Sequence, residues 1–395
     1  METWSAHQLF KTAESSLGET AARNLQVYSE GLRAKGLPVI FSLRHLAELS
    51  GVRYWFLHET VNRMREVPNY RLFAIKKRSG GRRHIHAVCR ELDRVQNWLN
   101  EHLLQNCHPH AASYAFHRDG GIRKCAARHC GARWLFQFDL LDFFYDVSER
   151  DCFRVFKNLG YRPLLAFELA RICTTTRLPS CCPRAEYHGQ KAFWGESEEK
   201  LEMDLINPNV SRNLPYYERF GLIGSLPQGA PTSPMLANLA ANELDLLLQQ
   251  FATENGLIYT RYADDITFSA SRLGIRPGRV LWRVRDLINQ AGFMANPNKT
   301  RIAGPGAKKL VLGLLVDGQS PRISREAYSR IEKLLYSAKK FGFQAAGSHF
   351  KFDSAYGFHN HLSGLVAFVK DVDRKRWKEF NRILTDAKTI WGNHV

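Results

Sequence analysis

Leu257 to Ala270 reads LIYTRYADDITFSA, two runs of β-branched and aromatic residues on either side of a short polar tip, Ala263-Asp264-Asp265. The pattern predicts a β-hairpin with adjacent carboxylates at its turn. Neighbouring anions repel unless one is protonated or a hard cation is shared, and oxygen donors at such a tip suit Mg²⁺. A third carboxylate from elsewhere would complete a two-metal site for phosphoryl transfer. Alone, an Asp-Asp pair also fits a solvated turn or a cap, so its partners decide.

The candidate third acid lies in Trp134 to Tyr145, WLFQFDLLDFFY. This apolar run reads as a buried strand, and Asp139 interrupts it where a charge is costly unless paired or metal-bound. Asp142 and Phe144 follow, an acid and an aromatic wall just beyond the strand end. Taken singly, Asp142 reads equally as a helix cap, with Phe143 and Phe144 in the core.

Three further stretches flank these. In Leu226 to Leu239, LPQGAPTSPMLANL, Gln228-Gly229 lies in a loop. Ser233 is the expected N-cap and Pro234 the first helical residue, with Leu236, Ala240, Leu244, Leu247 and Phe251 at helical spacing until Gly256. Tyr70 to Ala87, YRLFAIKKRSGGRRHIHA, predicts two strands around a Ser79-Gly80-Gly81 turn carrying Lys76, Lys77, Arg78, Arg82 and Arg83. It is either a basic flap over a triphosphate or a solvated edge hairpin. Asn296 to Arg301, NPNKTR, forms a basic turn in which Lys299 either meets departing pyrophosphate or is plain surface. Lys309 to Gly318 predicts a further short hairpin.

Fifty-six Lys and Arg against 38 Asp and Glu leave a net charge of +18, enough to attract polyanions with strong salt dependence. Nucleic acid is the expected partner, since the basic residues are scattered and form no amphipathic stripe for a membrane surface. No apolar run approaches the ~18 residues of a membrane span, and the first residues lack a signal-peptide plan. A cytoplasmic protein with no membrane partner is expected. Eight cysteines are then expected as thiols. The Cys107, His108, His110, Cys125, His129, Cys130 group lacks the spacing of structural zinc sites.

Residues 1–66 read as helical. Within them Ser42 caps a helix stopped at Ser50-Gly51, and a second helix begins near Tyr54, a pattern shared by helix-turn-helix units and by ordinary packing. Residues 176–222 read as an irregular insertion with no assigned chemistry. From Ser324 the chain reads as helical, with Lys and Arg interleaved with Tyr336, Phe341, Phe343, Trp377 and Phe380, a composition suited to backbone tracking and base stacking.

In order, these pieces resemble the reverse transcriptase family. FDLLDFF at 138–144 is similar to its first carboxylate motif, LPQGAPTSP at 226–234 to its Gln-Gly loop, and YADD at 262–265 to its metal-binding hairpin. KKRSGGRR at 76–83 resembles its fingers hairpin, and NPNKT at 296–300 its later Lys motif. The resemblance implies an α+β right-hand polymerase: helical residues 1–66, fingers and palm over 67–316 with the 176–222 insertion, and a basic helical RNA-binding thumb over 317–395. The palm sheet would carry the YADD hairpin and pack on helices. Asp139, Asp264 and Asp265 would hold two Mg²⁺, with the Leu140 carbonyl as a further ligand. Lys77 and Arg83 would grip the triphosphate of a dNTP, with Lys299 at the pyrophosphate. Asp142, Phe143 and Phe144 would border the nucleotide, Phe144 excluding a ribose 2′-OH, and Gln228 would line the base pair.

Bacterial retron enzymes are the most similar branch. Their Asn-Ala-x-x-His motif stands here as Cys125-Ala126-Ala127-Arg128-His129, with Cys for Asn. Their Val-Thr-Gly stands as Val311-Leu312-Gly313, with Leu for Thr. His129, Val311 and Gly313 are thereby candidate RNA-recognition residues. This resemblance implies binding of a structured noncoding RNA, priming from an internal guanosine 2′-OH, a branched RNA-DNA product, and phage defence with a separate effector protein. The alternatives are a group II intron-like enzyme, an abortive-infection polymerase, and a catalytically silent RNA-binding scaffold.

Overall fold

The computed structural model describes residues 6–76, 82–179 and 223–391. They divide into two compact units, Met1–Asp119 with Asp139–Gln249 and Trp282–Asn296, and Gly120–Phe138 with Gln250–Leu281 and Pro297–Val395.

The first unit is mainly helical. Ser42 accepts a hydrogen bond from the His45 amide at 3.2 Å and starts helix Leu43–Ser50, which Gly51 ends in the left-handed conformation at φ 67°. A residue without Cβ adopts that conformation at no steric cost. Helix Tyr54–Val61 follows, beginning where the sequence indicated. Strands β1 (Tyr70–Lys76) and β2 (Arg82–Val88) pair antiparallel with Tyr70 opposite Val88 and Lys76 opposite Arg82.

One expectation shifts. The helix after the Gln-Gly loop begins at Ser233 with Thr232 in the N-cap position, and it ends at Ala240; a separate helix, Asn242–Glu254, follows. Ser233 does not cap because its hydroxyl donates to the Pro227 carbonyl at 2.7 Å, which ties the helix back to the loop before it.

A buried ion cluster organises this unit. Glu149 accepts from Arg63 Nη2 at 2.5 Å and from Arg171 Nε at 2.9 Å, and the three side chains are 9%, 4% and 2% exposed. Glu66 binds Arg63 Nη1 at 2.9 Å and also accepts from Thr175 Oγ1 and the Thr176 amide. Glu149 further accepts from the Gly224 amide at 3.1 Å, while Thr175 and Ser225 exchange backbone hydrogen bonds at 2.9 Å. Both stems of the 180–222 stretch, which itself lies outside the described residues, are therefore fastened to one cluster.

The second unit is built on a four-stranded sheet of order β4-β5-β3-β6, comprising β3 (Trp134–Asp139), β4 (Ile258–Tyr262), β5 (Asp265–Ala270) and β6 (Arg301–Ala303). β4 and β5 form the expected hairpin, with Tyr262 opposite Asp265 and Ile258 opposite Ser269. Phe268 of β5 stacks on Tyr259 and meets Phe138 edge-on at 6.2 Å, which fixes which face of the sheet is apolar. Strands β7 (Leu310–Val311) and β8 (Leu314–Leu315) turn through Leu312 and Gly313, both at positive φ.

Helices Arg325–His349, Ala355–Val372 and Arg374–Trp391 share a core around Leu335, Phe343, Phe358, Leu362 and Phe380. The first is kinked at Gly342, at φ 78°, where the Trp391 ring lies 3.0 Å from the position a Cβ would take.

Burial alone would raise the Glu149 carboxyl; the Arg63 and Arg171 guanidinium groups overcome it and hold it below the ordinary carboxylate range. Its charge thus stabilises the fold above that range and ceases to do so as acidification protonates it. Glu149→Ala takes from enclosed Arg171 its carboxylate and from Arg63 one of two and is expected to cost about 3–5 kcal/mol, read as a fall in the denaturation midpoint.

Candidate active site

Asp264 and Asp265 occupy the β4–β5 tip. Tyr262 pairs with Asp265, so Ala263 and Asp264 form a two-residue loop, and Ala263 takes φ 56°. Two-residue hairpin loops need positive φ to match the strand twist, a position usually given to Gly. An alanine there is strained, as residues at functional turns often are. Arg261, fully enclosed, donates to the Ala263 carbonyl at 3.1 Å and braces the turn from within. Asp265 is exposed and Asp264 half-buried.

Asp139 ends β3 at 8% exposure. Its carbonyl accepts from the Asn296 amide at 2.7 Å and its carboxylate from Asn296 Nδ2 at 3.4 Å. Leu140 bridges antiparallel to Ala295 while the Leu141 amide donates to Met294. That pairing uses the carbonyl of 139 and the amide of 141, leaving the Leu140 carbonyl outside it.

Asp142 sits at φ 45°, ψ 36° ahead of the single turn Phe143–Asp146 and makes no side-chain cap. It takes the cap position without the cap bond. Phe143 is buried against Phe293 at 5.8 Å, and half-buried Phe144 lies 6.3 Å from Phe116. The Phe116 backbone is held in place because Asn238 donates to the neighbouring Ala115 carbonyl at 2.6 Å.

The Gln228 carbonyl accepts from the His86 amide of β2 at 2.8 Å. Gly229, at φ 115°, lies so close to β2 that a Cβ would stand 2.9 Å from the His86 carbonyl oxygen. Only glycine permits both the backbone and the approach. Arg83 is exposed on β2, opposite Ile75. Lys77 lies outside the described residues. Lys299 is exposed in the turn before β6.

Of the candidate RNA-recognition residues, the side chains of His129 and Val311 are fully enclosed. The His129 ring nitrogens lie 2.7 Å from Thr260 Oγ1 of β4 and Ser269 Oγ of β5, clamping the hairpin across its two strands. Cys125, where the family motif has Asn, donates to the same Thr260 hydroxyl at 3.3 Å. Gly313 remains exposed.

Residues 75–315 match the family model described as Reverse transcriptase (RNA-dependent DNA polymerase). Retron Ec86 reverse transcriptase of Escherichia coli is 27% identical over 371 residues, covering 92% of this chain and 94% of that protein. Retron Mx65 reverse transcriptase of Myxococcus xanthus is 32% identical over 380 residues, covering 94% and 77%. The chain belongs to the reverse transcriptase family, in its retron-type branch. It is an RNA-directed DNA polymerase with the α+β fold of that family, using an RNA template and dNTPs. Retron Mx162 reverse transcriptase, also of Myxococcus xanthus, is 28% identical over 91% of this chain and 70% of its own length. Reverse transcriptases of this family use divalent metal ions.

Asn296, Phe116 and Arg261 escaped the sequence reading. Arg261 carried a usable signal, a charge inside an apolar strand like that of Asp139. Asn296 was legible only as part of a basic turn, and nothing in the sequence singles out Phe116.

Burial pushes the His129 imidazole down to about 3 from its ordinary 6.5, so the folded chain holds it neutral. The stability this provides is complete above 6.5 and declines as the pH falls toward 3, because the unfolded chain takes the proton first. His129→Ala is expected to cost about 2–4 kcal/mol by removing one hydrogen-bond partner from each of two buried hydroxyls and leaving a cavity. It should also flatten the pH dependence of the denaturation midpoint in that window.

Proposed function

We propose that this reverse transcriptase binds a structured noncoding RNA, primes from the 2′-OH of an internal guanosine, and copies part of that RNA into single-stranded DNA as a branched hybrid. The observation that carries this reading is the similarity to retron enzymes over more than nine-tenths of the chain, beyond the family-model limit at 315 and into the basic helices.

Residues 1–66 form the helical N-terminal part, 67–316 the fingers and palm with the 176–222 insertion, and 317–395 the RNA-binding thumb. Lys340 Nζ lies over the rings of Tyr336 at 5.4 Å and Phe341 at 5.3 Å, both exposed. A cation flanked by open aromatic faces suits a nucleic-acid backbone and its bases. The enzyme acts in the cytoplasm with a separate effector protein in anti-phage defence and has no membrane partner. No helix among the described residues is long and apolar enough to cross a bilayer.

For chemistry, Asp139, Asp264 and Asp265 with the Leu140 carbonyl hold two Mg²⁺. The donor set is all oxygen, as Mg²⁺ requires, and Asn296 and Arg261 supply hydrogen bonds that orient two of its segments. When bound, such ions activate a hydroxyl and neutralise the triphosphate. Lys77 and Arg83 grip the triphosphate, Lys299 meets the pyrophosphate, and Asp142 and Phe143 shape the floor. Phe144, backed by Phe116, blocks a 2′-OH, and Gln228 lines the templating base pair.

Asp264→Asn with Asp265→Asn is expected to lower primer extension by about 10³-fold or more while RNA retention on a filter stays unchanged; persistent extension would remove the metal assignment. Sequencing the copurifying nucleic acid tests the RNA reading, which fails if no 2′-5′ branch is present. Phe144→Ala should raise ribonucleotide incorporation about tenfold or more, scored by alkali-labile product.

A further inference from the structure

His86 lies on the buried face of β2, 0% exposed, and contacts four separate pieces of the first unit. Its amide donates to the Gln228 carbonyl at 2.8 Å. Its ring Nε2 stands 2.8 Å from the Arg177 carbonyl oxygen. A carbonyl only accepts, so Nε2 carries the proton, and burial keeps the ring neutral. The ring meets Tyr145 edge-on at 5.8 Å and Tyr70 at 6.0 Å.

These four pieces converge on the nucleotide-binding residues. Tyr145 belongs to the single turn that carries Phe144, and its hydroxyl reaches back to the His84 carbonyl at 3.5 Å. Gln228-Gly229 is the loop whose glycine nearly touches the His86 carbonyl. Arg177 returns a bond to the Tyr70 carbonyl at 3.1 Å, so one residue holds both strands at the base of the basic hairpin. A neutral imidazole provides a ring that packs between two tyrosines and a donor that reaches a carbonyl. Leu or Val provides only the packing, and Lys or Arg would bring a charge into an enclosed place.

We propose that His86 is a positioning residue for nucleotide selection: its ring fixes the turn that carries Phe144 against the base of the basic hairpin, the same strand whose backbone meets the Gln228-Gly229 loop. It touches no substrate. Loss of the imidazole lets the Phe144 turn shift against the hairpin and the loop bound to it, so the pocket accepts a wider range of sugars and binds the correct nucleotide less tightly. The proposal rests on the reading of Phe144 and Gln228 as nucleotide-binding residues.

The test is single-nucleotide extension of a primed RNA template by the full chain, with rates per active enzyme from burst amplitude. His86→Phe keeps the ring and removes the donor, whereas His86→Gln restores a donor at the position of Nε2. His86→Phe should raise the KM for dNTP on the order of fivefold and lower discrimination against the ribonucleotide, with kcat within about twofold; His86→Gln should lie near the wild type on both. A role in stability alone predicts a lower melting temperature and active fraction with KM and discrimination unchanged, and that result overturns the proposal. If His86→Phe does not fold, Tyr145→Leu removes the ring contact of His86 from the side of the Phe144 turn and should produce the same pair of changes; their absence is equally fatal. Phe144→Ala serves as the reference. Should it shift discrimination while His86→Phe does not, the proposal alone falls; should it shift nothing, the nucleotide-site reading falls and takes the proposal with it.

Discussion

Carboxylates that must stay charged cannot sit inside an apolar sheet, because burial without a partner costs far more than one side chain's packing can return. Two of the candidate acids are accordingly found where strands stop. Asp139 is the last residue of β3 and Asp265 the first of β5, while Phe136, Phe138, Ile266 and Phe268 fill the sheet interior. A strand end is rigid on the side of the sheet and open on the side of the turn. Asp265 is held there while exposed, and Asp139, at 8% exposure, is held with its carboxylate hydrogen-bonded to Asn296.

Holding such ends still requires support from behind, and the chain supplies it with neutral hydrogen-bonding groups and with one enclosed cation. His129 clamps the two strands of the carboxylate hairpin from its buried face, and Arg261 braces the strained Ala263 turn. In the first unit Asn296 binds both the carbonyl and the carboxylate of Asp139. The Glu149 cluster works on a larger scale, since two arginines, two glutamates and several backbone amides fasten helices and loop stems that are far apart along the chain. A cluster of this kind adds modest net stability and strongly penalises other arrangements.

Much of this is legible in the sequence. The hairpin at 258–270, the strand ending at Asp139, the basic hairpin around residue 79 and the Ser42 and Gly51 boundaries all depend on local rules of alternation, capping and turn chemistry. Those rules act within a few residues. The N-cap placed at Ser233 was one residue off because the Ser233 hydroxyl is bonded six residues back, to Pro227. The enclosure of His129 and Val311 was illegible for a related reason: a motif marks a position and does not say whether that position faces solvent.

The sequence by itself determined the polymerase family, the element types and the three candidate carboxylates, because each is written in short contiguous patterns. Only the tertiary structure decided what stands behind them. The pairing of Asn296 with Asp139, of His129 with both hairpin strands, of Phe116 with Phe144 and of His86 with the Gln228 loop joins residues from 28 to 157 positions apart. Such contacts are selected by burial and hydrogen-bond satisfaction in the folded chain, and neither leaves a periodic trace along the sequence.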